Sequence, residues 1–172
     1  PSLRSIDEIN DRRGKVICID ERMDDAAEEA NLSLLADATR EAIAKLRERG
    51  GEGFFLMVEG AKIDYAGHSR CLPGSIIEML SFDQAVAEAL RFADSNGETL
   101  VIVTADHETG GLTLLDGDER TGRVMGCYVT DDHTPAMLPV FAYGPGADRF
   151  CGVYLNTEIA RRIRVLYDER KH

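Results

Sequence analysis

The sequence predicts an α/β fold, a mostly parallel sheet flanked by helices, and three observations carry that expectation. Apolar runs rich in β-branched and aromatic residues, VICI, GFFLMVE, LVIVTA and LPVFAYG, recur along the 172 residues. Of these, LVIVTA reads as a strand covered on both faces and LPVFAYG as another of the buried type. Between them lie longer stretches with apolar residues at helical spacing, and this alternation is what a layered sheet with crossover helices produces.

Taken in order, VICI is a short strand, followed by ERMDDAAEEAN, a loop or irregular helix. Residues 31–49 carry Leu32, Leu35, Ala38, Ala42, Ile43 and Leu46 at helical spacing, with Asn31 or Ser33 placed to cap the start and Gly50-Gly51 to stop it. GFFLMVE is a strand, and a turn into helix after it would put Asp64 and His68, four apart, on one face. A second helix is expected over 75–95, after the Pro73-Gly74 break, with Ile76, Met79, Leu80, Ala87 and Leu90 on its buried side. LVIVTA is the next strand. GLTLL and RVMGCYV form a shorter pair around the turn residues DGDERTG, LPVFAYG is a further strand, and a helix over 156–169 closes the chain. No repeat or composition break divides the sequence, so residues 1–172 read as one unit.

Composition narrows the function classes. At 44% hydrophobic and 30% charged residues the balance is that of a globular protein, and the length suffices for one real core. A net charge of −11 with no Lys/Arg run argues against nucleic acid as a partner. No apolar stretch approaches the roughly 18 residues of a membrane span, and the polar start PSLRSIDEINDRRGK has no signal-peptide character. Cys18, Cys71, Cys127 and Cys151 lie far apart without a Cys-x-x-Cys pair, so buried free thiols are expected rather than thiolate metal ligands.

The chemistry is concentrated in three places. Glu59, Asp64 and His68 stand in VEGAKIDYAGH, Asp106 and His107 in VTADHETGG, and His133 in DDHTP. Three of the chain's four histidines fall in these clusters, each with a carboxylate one or four positions before it. Neutral imidazole with carboxylate is a donor set for zinc, whereas an all-oxygen set suits magnesium. Asp106 and His107 are adjacent, which a strand end opening into a loop can splay around one ion. A single histidine after a strand is more often structural; the joint spacing of the clusters sets these apart. Asp131 and Asp132 are placed to orient His133, and the terminal His172 has no evident role.

These motifs, FFLMVEGAKIDYAGH, LVIVTADHETGG and DDHTP followed by VFAYGPGA, resemble the C-terminal half of an alkaline phosphatase from about Asn31 to Ile163. The resemblance implies an alkaline phosphatase-like fold present without its N-terminal half. It implies that Asp64, His68 and His133 hold one Zn2+, that Asp106 and His107 hold a second, and that Glu59 contributes to a Mg2+ site. It implies hydrolysis of phosphate monoesters through a phosphoserine, homodimeric assembly and periplasmic or extracellular location. Tyr65 departs from the pattern, standing where many relatives carry Lys or His, so a cation that assists phosphate binding is absent there.

The nucleophile segment of the family, an Asp-Ser-Ala, is not recognisable, so no catalytic residue is assigned. Asp94-Ser95-Asn96 lies where a turn is expected, and Asp20, after VICI, lacks the glycine turn that follows the family's bridging aspartate. The isolated chain is therefore expected to show little turnover. The alternatives are another member of the superfamily, of phosphodiesterase, sulfatase or phosphoglycerate mutase type, or a non-catalytic metal-binding fragment.

Overall fold

The computed structural model describes residues 32–49 and 53–169, together with 2–5, 8, 15–20 and 22. Two strands, β1 (Ser2–Leu3) and β2 (Ile17–Cys18), precede helix α1 (Leu34–Glu48). Ser33 occupies the N-cap position of α1 but points its hydroxyl at Asp37, 3.1 Å away, rather than at a backbone N–H. Asn31, Gly50 and Gly51 lie outside the described residues, as do most of ERMDDAAEEAN and His172.

The short helix α2 (Lys62–His68) and the long helix α3 (Leu72–Asn96) follow the extended segment 53–60. Helix α3 begins three residues earlier than the Pro73-Gly74 break suggests. Proline is tolerated in a first turn, where its missing N–H has no intrahelical partner to lose, and Cys71 caps the helix by accepting from the Gly74 N–H at 3.4 Å. Helices α1 and α2 both pack on α3. The seam is made of small side chains: Ala66, Ser75, Ser81, Ala85 and Ala93 are buried with Leu34, Ala36 and Ile43.

Beyond α3 come β3 (Val101–Val103), β4 (Glu108–Thr109), the hairpin β5 (Thr113–Asp118) and β6 (Arg123–Cys127), then β7 (His133–Thr134) and β8 (Phe141–Tyr143). A 3-10 turn at Ala147–Phe150 leads to helix α4 (Thr157–Glu169). The α/β class holds, but ladder direction departs from the parallel expectation. Among the described residues β1 and β2 pair in parallel and β5 with β6 form the expected hairpin, while β3 with β8 and β4 with β7 are antiparallel. Apolar β-branched runs mark strand positions; they do not report the direction of the neighbour.

Two further expectations change in the structure. Phe54–Glu59 is extended and alternates in exposure, as a strand does, but has no ladder partner among the described residues, and Phe55 and Met57 are about two-thirds exposed, at 64% and 69%. Ile76, Met79 and Leu80 of α3 are likewise exposed. These side chains and Phe141 face one open, mostly apolar cavity of about 2860 Å³. The sequence pattern marks surfaces built to be covered, and among the described residues they stand open. The cysteines are free, as expected, but Cys71, Cys127 and Cys151 are exposed and only Cys18 is half-buried. No described helix is long and apolar enough to cross a membrane.

Candidate metal centre

Three segments meet along α2. The helix itself supplies Asp64 and His68, one turn apart on one face, as the spacing requires. Residues 104–107 leave the end of β3 and deliver Asp106 and His107, and β7 begins at His133. The β4–β7 ladder, with Thr109 opposite His133 and Glu108 opposite Thr134, fixes the second segment against the third.

Two glycines make the turn after β4 possible. Gly110 and Gly111 adopt φ of +87° and +59°, and a Cβ on either would run into Tyr128 or Val129 at 2.6 and 2.3 Å. In this conformation the Gly110 N–H donates to the Asp132 carbonyl at 3.0 Å, and its carbonyl accepts from Val129 at 2.9 Å. Gly67, for its part, lets α2 lie directly on Thr109, whose methyl would be 2.9 Å from an added Cβ.

Asp64 Oδ1, His68 Nε2 and His133 Nε2 form a triangle with edges of 3.4, 3.4 and 3.1 Å. Zinc bonds of about 2.0–2.1 Å at a tetrahedral angle place donors about 3.4 Å apart. The triangle has the dimensions of one face of that tetrahedron, and its chemistry, two imidazoles and a carboxylate, suits the ion. His107 stacks on His133 with ring centroids 3.5 Å apart, and ligand atoms of Asp64, His107 and His133 lie within 4.8 Å of one another. Asp106 sits at the rim, its side chain 84% exposed and its Oδ2 3.3 Å from His107 Nε2. Glu59 ends the extended segment and lines the same cavity as Asp64, Asp106 and His107, apart from the imidazole cluster.

The surroundings orient these groups. His68 directs Nδ1 at the Asp131 carbonyl, 2.6 Å away, so that nitrogen carries the hydrogen and Nε2 keeps its lone pair for a ligand. Asp131 therefore serves His68 through its backbone, while its side chain pairs with Arg70 at 3.1 Å; Asp132 accepts from the His133 N–H at 2.8 Å. The expectation that both carboxylates orient the His133 ring gives way to this backbone arrangement. Arg70, at φ +50°, is the one described non-glycine residue in the left-handed region, and its guanidinium holds the Asp131 carboxyl below the usual range. A hydrogen bond from Thr109 holds the Asp64 carboxyl below its ordinary value, against the opposing effect of burial and with help from the three histidines.

Glu108 was not singled out by the sequence. Its carboxylate accepts from the N–H groups of Gly111 at 3.0 Å and Leu112 at 3.1 Å and from the Thr134 hydroxyl, clamping the glycine turn to β7. Burial would raise its carboxyl, but these three donors outweigh that effect and the net shift is downward. A carboxylate one residue beyond His107, followed by two glycines, is the signal that could have revealed it. The rejected candidates are accounted for: Ser95 donates to the Phe92 carbonyl within the last turn of α3, and the Asp20 carboxylate is gripped by Arg22 at 2.6 Å. Tyr65 is 64% exposed.

The alkaline phosphatase family profile matches residues 20–126. The chain belongs to the alkaline phosphatase family. It is 41% identical to streptomycin-6-phosphate phosphatase of Streptomyces griseus over 150 residues, covering 73% of this chain and 33% of that protein. It is 38% identical to alkaline phosphatase H of Pseudomonas aeruginosa over 151 residues, covering 78% of this chain and 32% of that protein. Among solved structures, the alkaline phosphatase of the Antarctic bacterium TAB5 superposes with a TM-score of 0.78 at 36% identity, over 94% of this chain and 48% of that one. A cold-active alkaline phosphatase from Shewanella sp. shares the fold, with a TM-score of 0.83 at 20% identity over 96% of this chain and 59% of that one. The chain thus spans about a third of the length of these two sequence relatives.

Proposed function

We propose that this chain supplies the metal-binding portion of a metal-dependent phosphate monoester hydrolase. In this reading Asp64, His68 and His133 hold one zinc, Asp106 and His107 contribute to a second, and Glu59 contributes to a magnesium site. The observation that carries it is the 3.1–3.4 Å triangle of Asp64, His68 and His133 in a chain of this family. A TAB5 alkaline phosphatase variant is described with Mg bound in its M3 site, which supports the magnesium assignment.

Bound divalent cations would supply Lewis-acid stabilisation of phosphoryl oxygens and of the leaving group. The chain's own residues do the positioning. The Asp131 carbonyl keeps the hydrogen of His68 on Nδ1, the Arg70–Asp131 ion pair holds that carbonyl over α2, and Glu108 fixes the turn that presents His107 beside His133. Tyr65 presents a phenol where a cation would assist phosphate, so substrate affinity rests more heavily on the metals. The nucleophile comes from polypeptide beyond these 172 residues, the assembled enzyme is a homodimer, and it works in the periplasm or outside the cell.

The test is aryl phosphate hydrolysis. The 172 residues alone are expected to show little turnover, whereas the polypeptide joined to a segment supplying the nucleophile should hydrolyse the ester, lose activity to a chelator and lose it in His133→Ala. Chelator-sensitive hydrolysis by the isolated chain would contradict the assignment of the nucleophile elsewhere. A completed polypeptide that binds zinc but cleaves no monoester would overturn the hydrolase reading.

A further inference from the structure

Thr109 joins the two groups of donors. Its Oγ1 lies 2.5 Å from Asp64 Oδ1, which belongs to the triangle, and 3.3 Å from Nδ1 of His107, which does not. An ionised carboxylate only accepts, and a hydroxyl has one hydrogen to give. The short contact therefore takes the hydroxyl hydrogen to Asp64. What remains on Oγ1 for His107 is a lone pair, so His107 Nδ1 must be the donor. Its hydrogen then sits on Nδ1, and Nε2 is left as an acceptor. That nitrogen faces Asp106 Oδ2 across 3.3 Å, two acceptors confronting each other as they do when a cation is to lie between them.

The side chain is not free to turn away. Its methyl rests on Gly67, where even an added Cβ would stand only 2.9 Å from it, and its backbone is paired with His133 in the β4–β7 ladder. Direction of the hydroxyl is thus set by packing.

We infer that Thr109 is a positioning residue whose hydroxyl fixes the His107 tautomer and orients Asp64, coupling the Asp106/His107 pair to the Asp64/His68/His133 triangle. This inference rests on the metal-centre reading above. Substitution separates the hydroxyl from the methyl: Thr109→Val keeps the shape and removes the relay, and Thr109→Ser keeps the relay and removes the methyl.

Three measurements on the 172-residue chain test it. In long-range 1H–15N spectra of the metal-free chain, recorded where the imidazoles are neutral, His107 should be the Nδ1–H tautomer in the parent and in Thr109→Ser, and a mixture in Thr109→Val. In competition with a chromophoric chelator, Thr109→Val should bind zinc roughly 10–100-fold more weakly, the usual loss for an outer-shell partner, with Thr109→Ser close to the parent. The metal-free melting temperature of Thr109→Val should fall by only a few degrees, the loss of one hydrogen bond, so that both chains are folded where zinc binding is compared. An Nε2–H tautomer in the parent, parent-like zinc binding by Thr109→Val, or Thr109→Ser as weak as Thr109→Val would each overturn the inference. If the parent binds no zinc, the metal-centre reading fails instead, and the His107 tautomer still decides the role of Thr109.

Discussion

The metal-centre loops and the extended segment Phe54–Glu59 are joined by a single turn of chain, yet they differ in how their shape is secured. The loops are tied from every side by Thr109 on Asp64, Asp131 on His68, Asp132 on the His133 N–H and Glu108 on the glycine turn. Phe54–Glu59 has strand-like alternation but no described ladder partner, with Phe55 and Met57 turned to an open cavity. The candidate site is held by contacts among its own loops, whereas Phe54–Glu59 makes no ladder contact among the described residues.

Substitutions in the two regions should separate accordingly. The largest effect is expected from His133→Ala, which removes one vertex of the triangle and should weaken zinc binding more than about 100-fold, beyond the loss for an outer-shell residue. A chelator competition titration measures it. Next comes Glu108→Ala, which strips the Gly111 and Leu112 N–H groups of their acceptor and should cost about 1–3 kcal/mol in a urea unfolding experiment. Equal stability of parent and variant would mean that the turn holds without its clamp.

Met57→Glu sits on the other side of the comparison. With Met57 already 69% exposed, the change should alter stability by no more than about 0.5 kcal/mol by the same urea assay. A clear loss would show that the open edge is packed within this chain after all. The smallest effect belongs to Tyr143, whose hydroxyl donates to Asp94 at 2.5 Å, and whose ionisation that bond raises above 10.0. A raised value favours the neutral phenol in the folded chain. Any stability that Tyr143→Phe removes should therefore be present below pH 10 and vanish as pH rises through the folded value. A difference that grew with pH would reverse the sign of that coupling.

The grouping of the candidate donors was partly legible in the sequence because they are tied to local spacing. Asp64 and His68 share a helix face at any i, i+4 separation, and a histidine following LVIVTA had to emerge at a strand end. What spacing could not reveal is the supporting layer. Glu108 and Thr109 act through a turn whose glycines take positive φ, and Asp131 acts through its carbonyl, which no side-chain pattern announces. In the fold, strand positions were readable from apolar runs, whereas ladder direction and the exposure of Phe54–Glu59 depend on neighbours distant in sequence. The start of α3 was misplaced because Pro73 reads as a breaker while the first helical turn accepts it.

The most direct test of the central claim is zinc-edge X-ray absorption on the chain loaded with one equivalent of zinc. The account predicts imidazole nitrogens and a carboxylate oxygen at about 2.0–2.2 Å, with the imidazole signal reduced in the His68→Ala/His133→Ala variant. A spectrum dominated by sulfur ligands, or one that the double variant leaves unchanged, would contradict it.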